Sequence, residues 1–219
     1  MQVQILPEIK KHCPKLCLAI IECHIKNTSY DKALWKKIED EMSTLRATTS
    51  LTEIKQKAII EATRQVYKKC GKDPNRYRPS SEALCRRIIN GKGLYQISTA
   101  VDLINLLSFK TGYCIGAFDA GYIEGDLSYG IGRPQEDYTG IGRGKLNVEG
   151  LPILRDAKGG IGTPTSDEER THLRLESTSL LVNINGYLGK TQVKAVAEEC
   201  LSLLQEHLEA QCISLRYIE

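Results

Sequence analysis

Residue types that could do chemistry cluster in the middle of the chain. Three segments there combine glycine with hydroxyl or acidic side chains, namely Gly112–Asp119, Gly159–Ser166 and Thr171–Glu176. Glycine lets the main chain approach a ligand closely, and a glycine turn can offer N–H groups to an anionic or ester oxygen. The pattern predicts that a binding or catalytic site, if the protein has one, is built from these segments.

The glycine-rich turn supplies the first candidates. Gly162 and Thr163 could offer N–H groups to a reacting carbonyl and are the candidate catalytic residues, while Gly160 is a candidate substrate contact. A tight turn would explain the same glycines without any ligand. Both interpretations stay open on the sequence alone.

Glu176 is the acidic candidate. It ends an expected strand in which Leu173 and Leu175 face the core, so alternation places its carboxylate on the opposite side. The competing interpretation is an ordinary solvated carboxylate, since surface glutamates are common.

A phosphate site is the third candidate. Arg76, Arg78 and Ser80 lie just before an expected helix start, where two guanidinium groups and free backbone N–H groups could hold a phosphate of RNA. Helix capping and a surface ion pair would explain these residues equally well. The preceding helix has a stripe of basic residues along one side. This stripe could be a further RNA contact, or it could be the solvated face of the helix. The stripe comprises Lys55, Lys57, Arg64, Lys68 and Lys69.

No metal or cofactor motif is present. The four histidines lack zinc spacing and the eight cysteines include no CxxC pair, so we expect reduced thiols, no metal site and no cofactor. Two Gly-Ile-Gly-Arg segments, at Gly130 and Gly140, lack the phosphate-loop patterns and predict hairpin turns.

Composition indicates an ordinary globular protein. Of the 219 residues, 41% are hydrophobic and 26% charged, and the net charge of +3 is too small to indicate nucleic-acid binding by itself. No apolar run is long enough to cross a bilayer, and the segment that begins at Met1 lacks a signal-peptide layout. We therefore expect a cytoplasmic protein without membrane contact.

Helices and strands alternate irregularly, which favours an α+β fold. Hydrophobic periodicity predicts one compact domain over residues 1–219, with mixed or antiparallel sheets flanked by helices. The expected strands are Leu16–Ile25, short strands between Cys114 and Glu176, Leu180–Ile184 and an edge strand from Gln211. The expected helices are Asp31–Met42, Leu51–Cys70, Ser80–Ile89, Val101–Lys110 and Thr191–Ala210.

The central landmarks resemble the editing module, the B-three/B-four domain, of the beta subunit of bacterial phenylalanyl-tRNA synthetase. The resemblance follows Leu94–Asn105, Gly112–Asp119 and Gly160–Ser166 in order and is completed by Leu175-Glu176. It covers residues 75–185, about half of the chain. It implies the α+β fold of that module in a free-standing form, without room for a complete synthetase.

The resemblance also implies a site. In the family a pocket hydrolyses the ester of tyrosine wrongly attached to the phenylalanine tRNA. Its glutamate, which favours the tyrosine hydroxyl, falls on Glu176, and a glycine that must stay small falls on Gly162. Pocket positions fall on Asn105 and, with changed residue types, on Ser98, Thr99 and Gly116, which replaces a histidine. Further family positions fall on Asp102 and Asp119.

These correspondences predict a cleft and an activity. The cleft is expected to be lined near Ser98, Thr99, Asn105, Gly116, Gly160, Gly162, Thr163 and Glu176. The implied function is hydrolysis of a mischarged aminoacyl-tRNA in trans. The sequence also fits a tRNA- or RNA-binding module without hydrolysis, or a protein that binds a free amino acid, and it does not indicate the oligomeric state.

Overall fold

A computed structural model describes residues 1–219 of the chain. It contains two sheets stacked on each other, and four of the six helices cover one outer face of the pair. The α+β class predicted from the sequence is confirmed. The helices are α1 (Pro7–His12), α2 (Lys32–Thr48), α3 (Ala58–Lys69), α4 (Ser80–Ile89), α5 (Thr99–Thr111) and α6 (Lys190–Leu208). The strands are β1 (Val3–Ile5), β2 (Cys17–His24), β3 (Ile115–Asp119), β4 (Leu127–Ile131), β5 (Thr139–Gly140), β6 (Gly144–Lys145), β7 (Pro152–Asp156), β8 (Gly159–Gly162), β9 (Ser179–Gly186) and β10 (Gln211–Ile218).

The sheets have four strands each. The first sheet has the order β10-β2-β9-β3 and is antiparallel throughout. The second has the order β1-β4-β7-β8, in which only β1 and β4 are parallel. Strands β5 and β6 form a separate hairpin. The predicted edge strand from Gln211 is confirmed as β10.

Strand alternation divides the interior into two main cores. In β2, Ala19 and Ile21 point to a core shared with helices α2, α4, α5 and α6, while Leu18 and Ile20 point to a core between the two sheets. A strand with apolar residues on both faces must be covered on both sides, which explains why β2 reads as a continuous apolar run. In strand β3, Ile115 likewise points to the core shared with the helices and Phe118 to the core between the sheets.

Helix starts follow local side-chain chemistry. The carboxylate of Asp31, the residue at which the sequence predicts this helix to start, accepts the Leu34 N–H at 2.9 Å and caps α2. The single helix predicted over Leu51–Cys70 is wrong at its start. Glu53 instead accepts the Ser50 N–H at 2.7 Å and closes a separate short turn, so α3 begins only at Ala58, after an extended Lys57.

The two Gly-Ile-Gly-Arg segments differ in structure. The segment at Gly140 is the predicted hairpin turn, with Gly142 and Gly144 at positive φ. The prediction is wrong for Gly130, which lies within β4. There the next glycine, Gly132, permits a close approach of main chain, because a Cβ atom on it would lie 1.9 Å from the Val148 carbonyl oxygen.

None of the six helices combines the length and the apolar character that crossing a bilayer requires.

Candidate functional site

A cavity of about 240 Å³ lies where α5, β3 and the loop after β8 meet. Its volume corresponds to roughly eight water molecules, enough for a group the size of an amino acid. Half of the residues in its walls are hydrophobic, and most of the wall surface is apolar. They are formed by Ser80, Ile97, Val101, Ile104, Asn105, Ser108, Ile115, Ala117, Ile141, Thr163, Ser166, Asp167, His172 and Leu173.

One face of α5 forms a wall of the cavity. Val101, Ile104, Asn105 and Ser108 follow each other at helical spacing, so their side chains share that face. Asn105 is half-buried there, as predicted for a pocket residue. Its amide makes no hydrogen bond within the chain and can therefore both donate to and accept from a ligand.

Strand β3 presents Ile115 and Ala117 to the cavity. Alternation points Gly116 to the other face, where a Cβ atom would lie 2.6 Å from Cζ of Phe118 and 3.2 Å from Oδ1 of Asp167. Gly116, which the sequence analysis expects near the cleft, therefore does not line the cavity, and the space next to it is occupied by Phe118 and Asp167.

The other two glycine candidates also pack against aromatic rings. A Cβ atom on Gly162 would lie 2.4 Å from Cζ of Phe118, and one on Gly160 would lie 2.8 Å from Cδ2 of Tyr138. Neither glycine lines the cavity. Gly162 is thus small because a core ring lies against it, a reason that requires no ligand.

Thr163 lines the cavity, but its polar groups are already engaged. Its N–H and its hydroxyl both donate to the Ser166 carbonyl, at 3.1 and 3.0 Å, and its Oγ1 accepts the N–H groups of Thr165 and Ser166 at 3.2 and 3.1 Å. The turn is closed on itself. Thr163 therefore has no free N–H group for an oxyanion, contrary to the contact expected from the sequence.

Asp167 is the acidic group of the cavity, and sequence reasoning missed it. It is half-buried, and its Oδ2 accepts one weak hydrogen bond, from the Ala117 N–H at 3.3 Å. Burial raises the pKa of its carboxyl to about 7, although the hydrogen bond from Ala117 opposes that shift. The sequence feature that could have identified Asp167 as a candidate is its position directly after the glycine-rich segment that ends at Ser166.

His172 is the second missed residue of the cavity wall. Its Nδ1 lies at the carbonyl oxygen of Glu169. A carbonyl only accepts, so Nδ1 carries the proton and, in the neutral ring, Nε2 retains a lone pair. No feature of the sequence distinguished this histidine from the other three, because none of them has a second ligand at metal spacing.

Ser98 and Thr99 lie next to the cavity rather than in its wall. Thr99 is fully buried and its hydroxyl shares a 2.6 Å hydrogen bond with that of Thr28. The Ser98 hydroxyl is buried without a partner. Their neighbour Ile97 occupies the position in the wall that was expected of them.

Glu176 does not line the cavity either. The predicted strand ending at this residue is wrong, because Arg174 and Ser177 form a turn with N–H bonds of 2.9 and 3.2 Å between them. The Ser177 hydroxyl also donates to Asp119 at 2.5 Å and fixes that turn. Alternation is lost, so Leu175 is 52% exposed and the Glu176 side chain is exposed as well.

The three phosphate candidates have different surroundings. Nε of Arg78 lies 3.6 Å from the fully buried carboxylate of Glu82, which fits the ion-pair interpretation. Arg76 is exposed and lies over the Tyr77 ring, 5.5 Å from its centroid. Ser80 lines the cavity, but its N–H donates to the Pro164 carbonyl at 2.8 Å. Only Arg76 is left free of hydrogen bonds and ion pairs.

The mouth of the cavity is apolar and exposed. Ile97 and Ile141 belong to the wall and are 58% and 45% exposed. Two residues before Ile97, Tyr95 is 68% exposed and the Arg87 guanidinium lies 4.0 Å from the centroid of its ring. Exposed apolar side chains concentrated at one opening mark a surface suited to a ligand.

Comparisons with known proteins identify a family. The model of the B3/4 domain family matches residues 62–208. Among solved structures, the chain is similar to a crystal structure of an N-terminal fragment of the phenylalanyl-tRNA synthetase beta-subunit from Pyrococcus horikoshii, with 12% sequence identity and a TM-score of 0.46. That similarity covers 99% of this chain and 50% of the fragment, so the chain spans half of the fragment's length. No curated protein sequence matches significantly.

Proposed function

Since the chain belongs to the B3/4 domain family, we propose that it binds the aminoacyl end of a tRNA and hydrolyses the ester of a mischarged one. The observation that carries the proposal is the cavity, whose walls come from α5, β3 and the loop after β8. These are the segments through which the sequence resembles the editing module. An aminoacyl ester is an activated acyl group, so positioning and polarisation are the main requirements for its hydrolysis.

The cavity divides into an apolar and a polar part. Ile104, Ile115 and Leu173 are buried side chains that would contact the side chain of the substrate amino acid. Asn105 lines the same cavity with an amide free of hydrogen bonds within the chain, and we assign it to donate an N–H to the ester carbonyl. One such donor aimed at a developing oxyanion contributes on the order of 100-fold to the rate.

His172 is the residue that we assign to the attacking water. With Nδ1 donating to Glu169, the neutral ring keeps Nε2 as an acceptor. A histidine in this tautomer can hold a water molecule and take its proton as the water attacks. The terminal ribose hydroxyl of the tRNA could assist in the same step.

The cavity mouth would receive the RNA end. Tyr95, held under the Arg87 guanidinium, offers an exposed ring on which a nucleobase can stack, and Ile97 extends that surface to the cavity. Arg76 is the free cation that we assign to a phosphate. With a net charge of only +3, the protein should bind tRNA weakly and in a salt-dependent manner.

Single-turnover deacylation of a panel of mischarged tRNAs tests this proposal. Asn105→Ala and His172→Ala should each lower the rate by about 100-fold. Glu176→Gln is the matched control, because its side chain is exposed outside the cavity. A rate that is unchanged in the Asn105 and His172 variants, or lost in the control, would place the activity elsewhere.

A second candidate is binding without hydrolysis. The N–H groups of Thr163 and Ser80, which could have formed a preorganised oxyanion site, are both used within the chain. This favours a module that holds a tRNA end, or a free amino acid, in the same cavity. Deacylation of a charged tRNA is expected only of the hydrolase and not of either binding module. Salt-dependent tRNA binding at constant protein concentration is expected of the RNA-binding module and not of a protein that binds a free amino acid.

A further inference from the structure

Asp167 differs from the other deeply placed carboxylates in lacking a strong partner. Asp156 accepts both guanidinium N–H groups of Arg170, at 2.9 and 3.0 Å, and Glu136 is paired with Arg155. Asp167 has no ion pair and only the 3.3 Å hydrogen bond from main chain.

Two other carboxylates, those of Asp102 and Asp119, have no ion pair, but each of them accepts two hydrogen bonds. Asp167 is therefore the carboxylate of the interior with the weakest compensation within the chain.

The surroundings of Asp167 do not supply a countercharge. Glycine backbone lies against one oxygen, since Cβ atoms on Gly116 and Gly162 would lie 3.2 and 3.0 Å from Oδ1. No lysine or arginine lines the cavity, and His172 is its one basic residue. A partly buried charge without a partner is costly to stability, and such groups are concentrated at binding and catalytic sites.

The ionised form of Asp167 would be stabilised by a cation that the ligand brings. A divalent metal ion is a poor fit, because no group of three or more acidic, histidine or cysteine side chains surrounds the position. A primary ammonium group fits better, since it is small, carries three donors and needs few charged acceptors. The Asn105 amide oxygen, in the same cavity, is a further acceptor without a partner in the chain.

We infer that Asp167 binds the protonated amino group of the ligand, so that the cavity takes compounds with a free α-amine and rejects their N-acylated counterparts. The inference rests on the proposed function in one respect, that the cavity receives an aminoacyl group. It further specifies that the amino group of this ligand is free and protonated. An aminoacyl ester or free amino acid would be accepted, and an N-formyl- or peptidyl-ester would not, because an acylated nitrogen carries no charge to pair with Asp167.

Binding of unreactive analogues tests the inference apart from any hydrolysis. The probes are amino-acid amides with apolar side chains and, for each, the N-acetylated amide, titrated calorimetrically at pH 8 into the wild-type protein, Asp167→Asn and Glu169→Gln. Glu169 is the matched control, because it is an exposed acid in the same loop. We expect the free amides to bind the wild type and the control equally, and Asp167→Asn at least about tenfold more weakly.

The outcomes of this test are separable from those of the deacylation test. Equal binding of free and N-acetylated amides by the wild type, or binding of neither, overturns the inference without recourse to any variant. Selective binding of the free amides, with loss in Asp167→Asn, supports it even if no tRNA is deacylated, in which case only the hydrolase proposal fails. Deacylation of N-acetylated and free aminoacyl-tRNA at equal rates supports the hydrolase and refutes the role of Asp167.

Discussion

The ring of Phe118 lies directly over the backbone of Gly162, where a Cβ atom would come within 2.4 Å of its Cζ. Phe118 is almost fully buried in the core between the two sheets. The contact joins β3 of the first sheet to β8 of the second, immediately before the loop that carries Thr163 into the cavity. The size of this glycine is thus determined by the packing of the two sheets.

Gly162→Ala should destabilise the fold. The added methyl group must displace a buried ring, and overpacking of this kind costs about 1–3 kcal/mol. Chemical denaturation followed by circular dichroism measures the loss. Phe118→Leu combined with Gly162→Ala is the control, because a smaller side chain should recover part of the cost in a double-mutant cycle. Additive losses in the cycle would show that the two residues do not interact as described.

Stability should depend on pH through Asp167. Its folded-state pKa is raised from 3.8 to about 7, so the folded chain holds its proton more tightly than the unfolded chain. The group therefore favours folding below pH 4, and that contribution is lost as the pH rises from about 4 to about 7. The stability difference between Asp167→Asn and the wild type should grow over this window by roughly 2–4 kcal/mol and then level off.

The same experiment has a clear counter-result. The polar neighbours of Asp167, among them His172, Glu168 and Tyr138, are present in both proteins, so their own contributions cancel in the difference. Urea denaturation of both proteins between pH 4 and pH 8 gives the comparison. A difference that stays constant with pH would mean that the Asp167 carboxyl titrates normally.

Tyr95→Ala should weaken RNA binding at the cavity mouth. Stacking of one base on an aromatic side chain contributes about 1–3 kcal/mol, so the dissociation constant should rise by roughly 5- to 100-fold. Fluorescence anisotropy with a short single-stranded RNA ending in the tRNA 3′ sequence measures it. Tyr30→Ala is the matched control, because Tyr30 is 48% exposed but has no stacked arginine. Equal losses in both variants would argue against a specific platform.

Arg76→Ala should reduce the salt dependence of tRNA binding. Removing one phosphate contact lowers the slope of the logarithm of the binding constant against that of salt concentration by about 0.7–0.9. Arg78→Ala should change the slope less, because Arg78 lies near the buried Glu82. Filter binding at four salt concentrations distinguishes the two. Identical slopes for the wild type and Arg76→Ala would remove Arg76 from the RNA contact.

Elements governed by local periodicity could be predicted from the sequence, and so could part of the site. Helix α2 with its Asp31 cap and strand β2 follow from their own residues. Asn105 and Thr163, which the sequence analysis expects near the cleft, lie in the cavity wall, because α5 and the turn after β8 keep their local form. In each of these elements the local sequence determines the backbone conformation, independently of the segments that pack against it.

Features that depend on contacts between distant segments could not be predicted. Which face of β3 carries Gly116 is decided by where α5 and the second sheet pack, and the orientation of Glu176 is decided by the bond between Ser177 and Asp119. Asp167 and His172 become neighbours of α5 only through the bridges that fix their loop, Gly162 with Asp167 and Phe118 with His172. No spacing within one segment contains that information.

The central position of β2 in the first sheet has a consequence for how the chain is made. Strand β2 precedes both of its partners by a long stretch of sequence, since Cys17 pairs with Gly186 and Ile21 with Leu215. During translation its apolar residues have no native strand to pair with until those later strands have also left the ribosome. Such long-range pairing slows folding and prolongs the time in which unpaired strands can aggregate. Production of this protein should therefore be unusually sensitive to chaperone supply and to growth temperature.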